Sequence, residues 1–295
     1  MVRVRQPRAT FILGCRSGEG ATDPHYTSRM VSRRRHGAVL AVDIGASSIK
    51  ICLVDDKGKR LGRVTRVPTP YPCSPATLVG LVSHYVAQSG CVRVGVGFPG
   101  AMIDGQVVEP GNLSRASGFT SPIDPELHEA WIAMNLQDAL RQATQVDVRV
   151  VNDATLAALG CCEGIGRELV FTLGTGFGIA LVVDGDVVPI RDVGSEEYED
   201  AQTYDEALGD HARARDETRW RERLARAVLR FSDEFGASVV HLGGGNSGRV
   251  DLKAMSRFDV RFIVNDNDTT LSGAAKLFGG GRVHAEIGRT DDDDF

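Results

Sequence analysis

The strongest constraint on the fold is an internal repeat. Residues 39–45 (Val-Leu-Ala-Val-Asp-Ile-Gly) form a short apolar run that stops in a turn of small residues, and residues 48–55 alternate out of it as a second strand. Further along, residues 169–173 form another apolar run, Gly174-Thr175-Gly176-Phe177-Gly178 another small-residue turn, and residues 179–183 another returning strand. Each copy ends in a Gly-containing turn, Asp56-Lys57-Gly58 and Asp184-Gly185-Asp186, and each leads into alternating strands and helices. A chain that begins twice with strand, turn, strand and continues twice with strand–helix units reads as a duplicated α/β architecture.

The remaining elements fill in between. Residues 60–67 read as a third strand, Pro68, Pro70, Pro72 and Pro75 as a rigid connection, and residues 76–88 as a helix. Strands are expected at 93–97 and 147–151, a helix at 136–144, and irregular Gly-, Pro- and Ser-rich chain at 104–130. An Ala-rich helix opens at Asn152-Asp153 and runs to Cys162. Over 217–235, Trp220, Leu224, Val228, Phe231 and Phe235 recur every three or four residues, the stripe of a helix facing a core. Strands at 238–242 and 260–264 and a short helix at 271–278 complete the order. The expected organisation is an Arg-rich tail at 1–36, one half at 37–151, a second at 152–285 whose last helix can pack back on the first, and an acidic tail at 286–295.

Composition narrows the class. With 295 residues, 42% hydrophobic and 25% charged, the chain matches ordinary globular proteins, and no apolar run reaches the roughly 18–20 residues of a membrane span. Eight arginines in residues 1–36, against Glu19 and Asp23, read as a solvated tail, and Met30 opens a second plausible start. The six cysteines contain no CxxC pair, so neither a metal cluster nor a redox dithiol is expected, and the pattern suits a reducing cytoplasm.

Four segments carry chemistry, each with a plainer structural alternative. Asp43-Ile44-Gly45-Ala46-Ser47-Ser48-Ile49-Lys50 sets a carboxylate at the end of a buried strand beside a hairpin whose backbone N–H groups and hydroxyls suit phosphate, with Mg²⁺ at the acid; otherwise it is simply a hairpin turn. Gly174 to Gly178 offers the same close backbone approach, and is neither a Walker loop nor a dinucleotide fingerprint. Gly243-Gly244-Gly245-Asn246 follows a strand and can pass under a base or ribose, or just turn the chain. Asn152-Asp153 sits at a strand end and helix start, where ligands bind in α/β folds and where helix caps also occur.

In this order the motifs resemble the ROK family of sugar kinases, nearest its polyphosphate glucokinase-like branch, over residues 38–280. Asp43 to Lys50 looks like the phosphate-1 motif, Gly97-Phe98-Pro99-Gly100 like the G-x-P-G turn, and Glu109-Pro110-Gly111-Asn112-Leu113 like the P-N-L sugar loop with Gly at the Pro position. Val151-Asn152-Asp153-Ala154 resembles the catalytic N-D-A, Gly174 to Gly178 the phosphate-2 loop, and Gly243 to Asn246 the adenosine motif. The resemblance implies a duplicated actin-like ATPase (ribonuclease H-like) α/β fold with a cleft between two lobes. It implies transfer of a terminal phosphoryl group from ATP or polyphosphate to a hydroxyl of a glucose-like hexose. Asp153 would be the general base. Asp43, Gly45, Ser47, Ser48, Lys50, Gly174, Thr175, Gly176, Gly243, Gly244, Gly245 and Asn246 would serve the phosphates and nucleotide, with Asp43 meeting Mg²⁺ through water. Asn112, Asn152 and Asp192 would hold the sugar. A cytoplasmic homodimer is implied, without nucleic-acid or membrane partners.

The chain departs from the family at Arg191-Asp192-Val193-Gly194-Ser195, where the family reads E-L-G-H and uses the Glu and His on glucose. Asp192 is one methylene shorter and Ser195 replaces His, and a lost buried hydrogen-bond partner costs about 1–3 kcal/mol. The family's Cys-rich zinc loop is absent, so no zinc is expected, while Thr203 to Gly209 still resembles the polyphosphate-using branch. The alternative function is a catalytically weak or silent ROK-like protein that binds a ligand or regulates. A repressor is disfavoured because residues 1–36 show no paired-helix pattern.

Overall fold

The structure, a computed structural model, describes residues 35–190, 192–255, 260–279 and 283. Most of the Arg-rich segment, the acidic segment and Arg191 lie outside the described residues. The first half contains β1 (Ala38–Ile44), β2 (Ser48–Asp55), β3 (Thr65–Pro68), α1 (Pro75–Ser89), β4 (Arg93–Phe98), a hairpin of β5 (Ala101–Ile103) and β6 (Gln106–Glu109), α2 (Pro125–Ile132), α3 (Leu136–Thr144) and β7 (Asp147–Asn152). The second contains α4 (Asp153–Cys161), β8 (Arg167–Leu173), β9 (Phe177–Val183), β10 (Asp186–Val188), a small pair β11 (Glu197–Glu199) and β12 (Gln202–Thr203), α5 (Tyr204–Leu208), α6 (Asp210–Arg215), α7 (Glu217–Phe235), β13 (Val239–Gly243), α8 (Leu252–Met255), β14 (Arg261–Val264) and α9 (Gly273–Lys276).

The repeat in sequence is a repeat in topology. One five-stranded sheet runs β3-β2-β1-β4-β7 and the other β10-β9-β8-β13-β14. In each, the first strand pairs antiparallel with the second and parallel with the fourth.

Strand alternation divides the core into three layers. Leu40, Val42 and Ile44 of β1 join an outer core with α1–α3 that includes Leu78, Trp131 and Leu136. Leu169, Phe171 and Leu173 of β8 join the opposite outer core with Trp220, Leu224, Val228 and Phe231 of α7, so the apolar stripe is core. Val39 and Ala41 of β1 and Val170 of β8 face inward, onto a shared layer built by Leu156 and Leu159 of α4 and Ala274 and Ala275 of α9. The inward face of each first strand therefore points at α4.

Several elements differ from the sequence expectations. The third strand is shorter, because between Arg60, which makes an isolated bridge to Val54, and Thr65 no ladder forms. Residues 104–130, expected to be irregular, contain the end of the β5–β6 hairpin and α2. The signals were present: Asp104-Gly105 takes two positive φ angles (48° and 77°) as a two-residue hairpin turn does, and Asp124 caps a helix that starts with Pro125. The final helix is a 3₁₀ turn at Thr269–Ser272 leading into α9.

Candidate active site

Asp43 continues the inward series of β1 after Val39 and Ala41, which turns its carboxylate toward the first turn of α4. There Asn152 caps the helix, accepting from Ala154 N (2.9 Å) and Thr155 N (3.2 Å), while its Nδ2 donates to Gly100 O (3.0 Å). Gly97, paired with Asp43 across β1–β4, makes room for this approach: a Cβ there would stand 2.8 Å from Leu156 Cδ2 and 3.3 Å from the Asp153 Cα. Asp153 Oδ1 accepts from Ala154 N (2.8 Å). Burial at the cleft floor pushes the Asp153 carboxyl up to about 8, with Asp43, Asp192 and Asp205 adding to the rise and the Ala154 N–H opposing it. The side chain still reaches the open cleft, so solvent moderates that shift.

The two small-residue hairpins meet above this floor. Ser47 Oγ and Thr175 Oγ1, 128 residues apart, hydrogen-bond at 2.8 Å. Each loop is held from behind by groups the sequence reading did not select. Thr69 Oγ1 donates to Gly45 O (2.6 Å) and Tyr71 OH to Ala46 O (2.8 Å). In the second loop, Asp210 N donates to Gly174 O (2.9 Å), and Asp205 Oδ1 accepts from Phe177 N (2.7 Å). Asp205 packs so closely that a Cβ on Gly176 would lie 2.5 Å from its Oδ1. Its carboxyl is pushed up to about 6 by burial, with the Phe177 N–H opposing and Asp192 reinforcing.

The hairpins, β7–α4 and the Gly244 turn line one cleft of about 870 Å³. It brings together Asp43, Gly45, Ser47, Ser48, Lys50, Asn112, Asn152, Asp153, Gly174, Thr175, Gly176, Asp192, Gly244, Gly245 and Asn246. Gly243 is not among its lining residues; it is the last residue of β13, in register with Thr172. Lys50 spends its three ammonium protons on Asp43 Oδ2 (3.0 Å), Asn267 O (2.9 Å) and Asn267 Oδ1 (3.0 Å), which makes it a brace for Asp43. Gly111 explains the glycine ahead of Asn112: its φ is +55°, which proline cannot adopt, and a Cβ would strike Pro99 O at 2.6 Å. Asp192 is exposed at the cleft edge and accepts from Gly194 N (3.0 Å), while Ser195 is exposed and outside the lining. Asp205 is the residue that sequence reasoning missed. Its signal lay in the Thr203-to-Gly209 segment, where Thr203 and Glu206 form a capping box that sets α5 under the loop.

Two sheets of matching order, one cleft between their hairpins and an acid at the start of the connecting helix define the actin-like ATPase fold. The chain belongs to the ROK family, whose family model matches residues 39–189. It is 25% identical over 229 residues to a polyphosphate glucokinase of Mycobacterium tuberculosis, covering 74% of this chain and 80% of that protein. Among solved structures, the inorganic polyphosphate/ATP-glucomannokinase of Arthrobacter sp. strain KM superposes with a TM-score of 0.67 at 29% identity, over 81% of this chain and 97% of that one. A ROK family glucokinase of Streptomyces griseus, solved with glucose and AMPPNP, shares the fold with a TM-score of 0.61 at 17% identity, over 82% and 99% of the two chains.

Proposed function

We propose that the protein is a sugar kinase that moves the terminal phosphoryl group of a nucleoside triphosphate to a hydroxyl of a hexose. The observation that carries this reading is the meeting of the two hairpins at Ser47 and Thr175 above Asp43 and Asp153. Two loops able to grip phosphate, over an acid at a helix start, suit in-line phosphoryl transfer. Asp153 accepts the hydroxyl proton as that oxygen bonds to the terminal phosphorus and the bond to the nucleoside diphosphate oxygen breaks. A positioned base contributes about 10²–10⁴-fold. Asn112, Asn152 and Asp192 edge the sugar subsite, Asp205 stiffens the second hairpin, and closure of the 37–151 and 152–285 lobes excludes water.

The donor set fits a hard divalent cation. Asp43 and Asp153 face one floor, where burial first and the Asp43 carboxylate second raise Asp153, and Lys50 compensates only Asp43. Asp43 would hold Mg²⁺ through its waters. When bound, Mg²⁺ supplies the charge that neutralises phosphate oxygens and favours the ionised form of Asp153.

Charge also favours a metal-complexed nucleotide over polyphosphate. The cleft is lined by seven aspartates and one lysine and, among the described residues, no arginine. Most of the arginine charge on α6 and α7 is already neutralised: Arg213, Arg219, Arg221, Arg223 and Arg226, five of the seven arginines there, pair with Asp or Glu. A bare polyanion gains little from such a surface, whereas a nucleotide also finds the turn of Gly244, Gly245 and Asn246. Coupled assays over a panel of hexoses and polyols, each with Mg·ATP and with polyphosphate, test both parts. Turnover with ATP exceeding that with polyphosphate is expected. Turnover with polyphosphate alone would overturn the donor reading and leave phosphoryl transfer standing. No turnover with any pair by folded chain would overturn the kinase reading in favour of a silent binding protein.

A further inference from the structure

At the far end of α4 from Asp153, about 12 Å away at 1.5 Å per residue, a second cluster stands apart from the cleft. Cys161 and Cys162 close the helix, and His241 reaches them from the inward face of β13; their three ligand atoms all lie within 4.8 Å of one another. Cys162 and His241 are buried and Cys161 is partly exposed, which leaves one side open to solvent. Sequence reasoning that looked for CxxC pairs could not see it, because the third group comes from a strand about eighty positions away.

We propose that Cys161, Cys162 and His241 Nδ1 form a binding site for one thiophilic cation of zinc-like chemistry. The arrangement around the imidazole is what separates this from chance proximity. His241 Nε2 lies 2.9 Å from Glu168 Oε2, and both side chains are about 1% exposed. Glu168 is in turn fixed by the N–H groups of Glu163 (3.0 Å), Gly164 (2.6 Å) and Ile165 (3.2 Å). A carboxylate held in this way orients the ring and keeps the Nε2 proton, so that Nδ1 presents a lone pair, which is the usual outer partner of a metal-bound histidine. Asn265 Nδ2 stands 3.3 Å from Nδ1, a long contact that a cation would replace.

The ammonium of Lys276 also faces the pair. Two thiolates bring a divalent cation to a neutral centre, so that neighbouring ammonium is not opposed by net charge. A tetrahedral site with metal–sulfur bonds of about 2.3 Å and metal–nitrogen bonds of about 2.0–2.1 Å needs ligand atoms about 3.5–3.8 Å apart, a contraction of at most about 1.3 Å from the 4.8 Å limit here. Binding releases the thiol protons to solvent and requires no oxidant. The cation would clamp the last turn of α4 to β13, with solvent in the fourth position.

The test uses the full chain, reduced and stripped of metal, titrated with Co²⁺. One equivalent should produce thiolate-to-cobalt charge transfer and the intense visible bands of a tetrahedral N/S site, and one equivalent of Zn²⁺ should abolish both and raise the melting temperature. Cys161→Ser, a change at the partly exposed ligand, should remove the spectrum and the thermal shift, and Asp153→Asn should keep them. Cys162→Ser should agree with Cys161→Ser, and if it misfolds the Cys161→Ser result stands alone. Weak octahedral cobalt spectra only, or a tetrahedral spectrum that survives in Cys161→Ser, would overturn the assignment. So would a Cys161–Cys162 disulfide that persists under reducing conditions.

Discussion

The substitution Gly273→Ala should destabilise the protein by about 3 kcal/mol, although it puts the best helix former at a helix start. Gly273 has ordinary right-handed angles (φ −63°, ψ −27°), so alanine meets no backbone strain. The obstacle is space. A Cβ there would lie 2.1 Å from Leu156 O, 2.9 Å from Gly160 N and 3.1 Å from Leu159 Cβ, and Gly160 faces Thr269 O in the same way at 2.4 Å. Unstrained carbon contacts need about 3.5 Å, so α9 would withdraw from α4 by roughly 1 Å, and a gap of that size forfeits about a quarter to a half of each dispersion contact across it. Leu156, Leu159, Leu271 and Ala274 line that seam and are fully buried. Overpacking of this kind costs about 1–3 kcal/mol, and contact with backbone, which cannot rotate away, puts this case at the upper end. The control is Gly80→Ala, in the exposed interior of α1 with nothing within 4 Å of the new Cβ; it should stabilise by about 0.5–1 kcal/mol. Urea unfolding should move the two midpoints in opposite directions at unchanged slope. A Gly273→Ala midpoint within about 0.5 kcal/mol of the parent would refute the packing argument.

Three further outcomes follow from individual groups. Asp153, with its carboxyl raised to about 8 by burial and then by Asp43, contributes stability that is complete below its unfolded pKa of about 3.9 and lost as pH rises through about 8. Unfolding of the ligand-free protein at about pH 5 and about pH 8 should therefore show a loss of up to a few kcal/mol, reduced by solvent in the cleft, that is absent in Asp153→Asn. Glu168→Gln offers one acceptor where three backbone N–H groups and His241 converge, and should cost about 2–5 kcal/mol at neutral pH. Because hydrogen bonds lower the Glu168 pKa against the effect of burial, that cost should shrink as pH falls through the folded pKa. Asp205→Asn weakens the charged acceptor under Phe177 N and should raise KM for the phosphoryl donor about tenfold, the equivalent of about 1.4 kcal/mol; an unchanged KM would remove Asp205 from the support of the loop.

The duplicated sheets were legible because short apolar runs closed by small-residue turns are local signals, which β1, β2, β8 and β9 carry; β1 is buried along its whole length, β8 and β9 along most of theirs, and β2 comes nearest to alternating. The helix at Glu217–Phe235 was legible for the same reason at period 3.6. The hairpin at Ala101–Glu109 was obscured by its short strands, although Asp104-Gly105 marked its turn. For the candidate site, motif order located the cleft, but not the division of labour within it. Lys50 pairs with Asp43 and with Asn267, 217 residues away, and motif order does not encode the second partner. Asp205 and the Cys161–Cys162–His241 cluster depend on contacts between distant segments, which spacing along the chain does not encode.

The most direct test of the central claim is the turnover number of Asp153→Asn for whichever sugar the parent phosphorylates. Nucleotide and sugar affinities should be measured beside it by calorimetry. The account predicts a loss of about 10²–10⁴-fold in kcat with both affinities within a few-fold of the parent, because Asn keeps the shape and the N-cap belongs to Asn152. Retention of parent-like turnover by Asp153→Asn would contradict it.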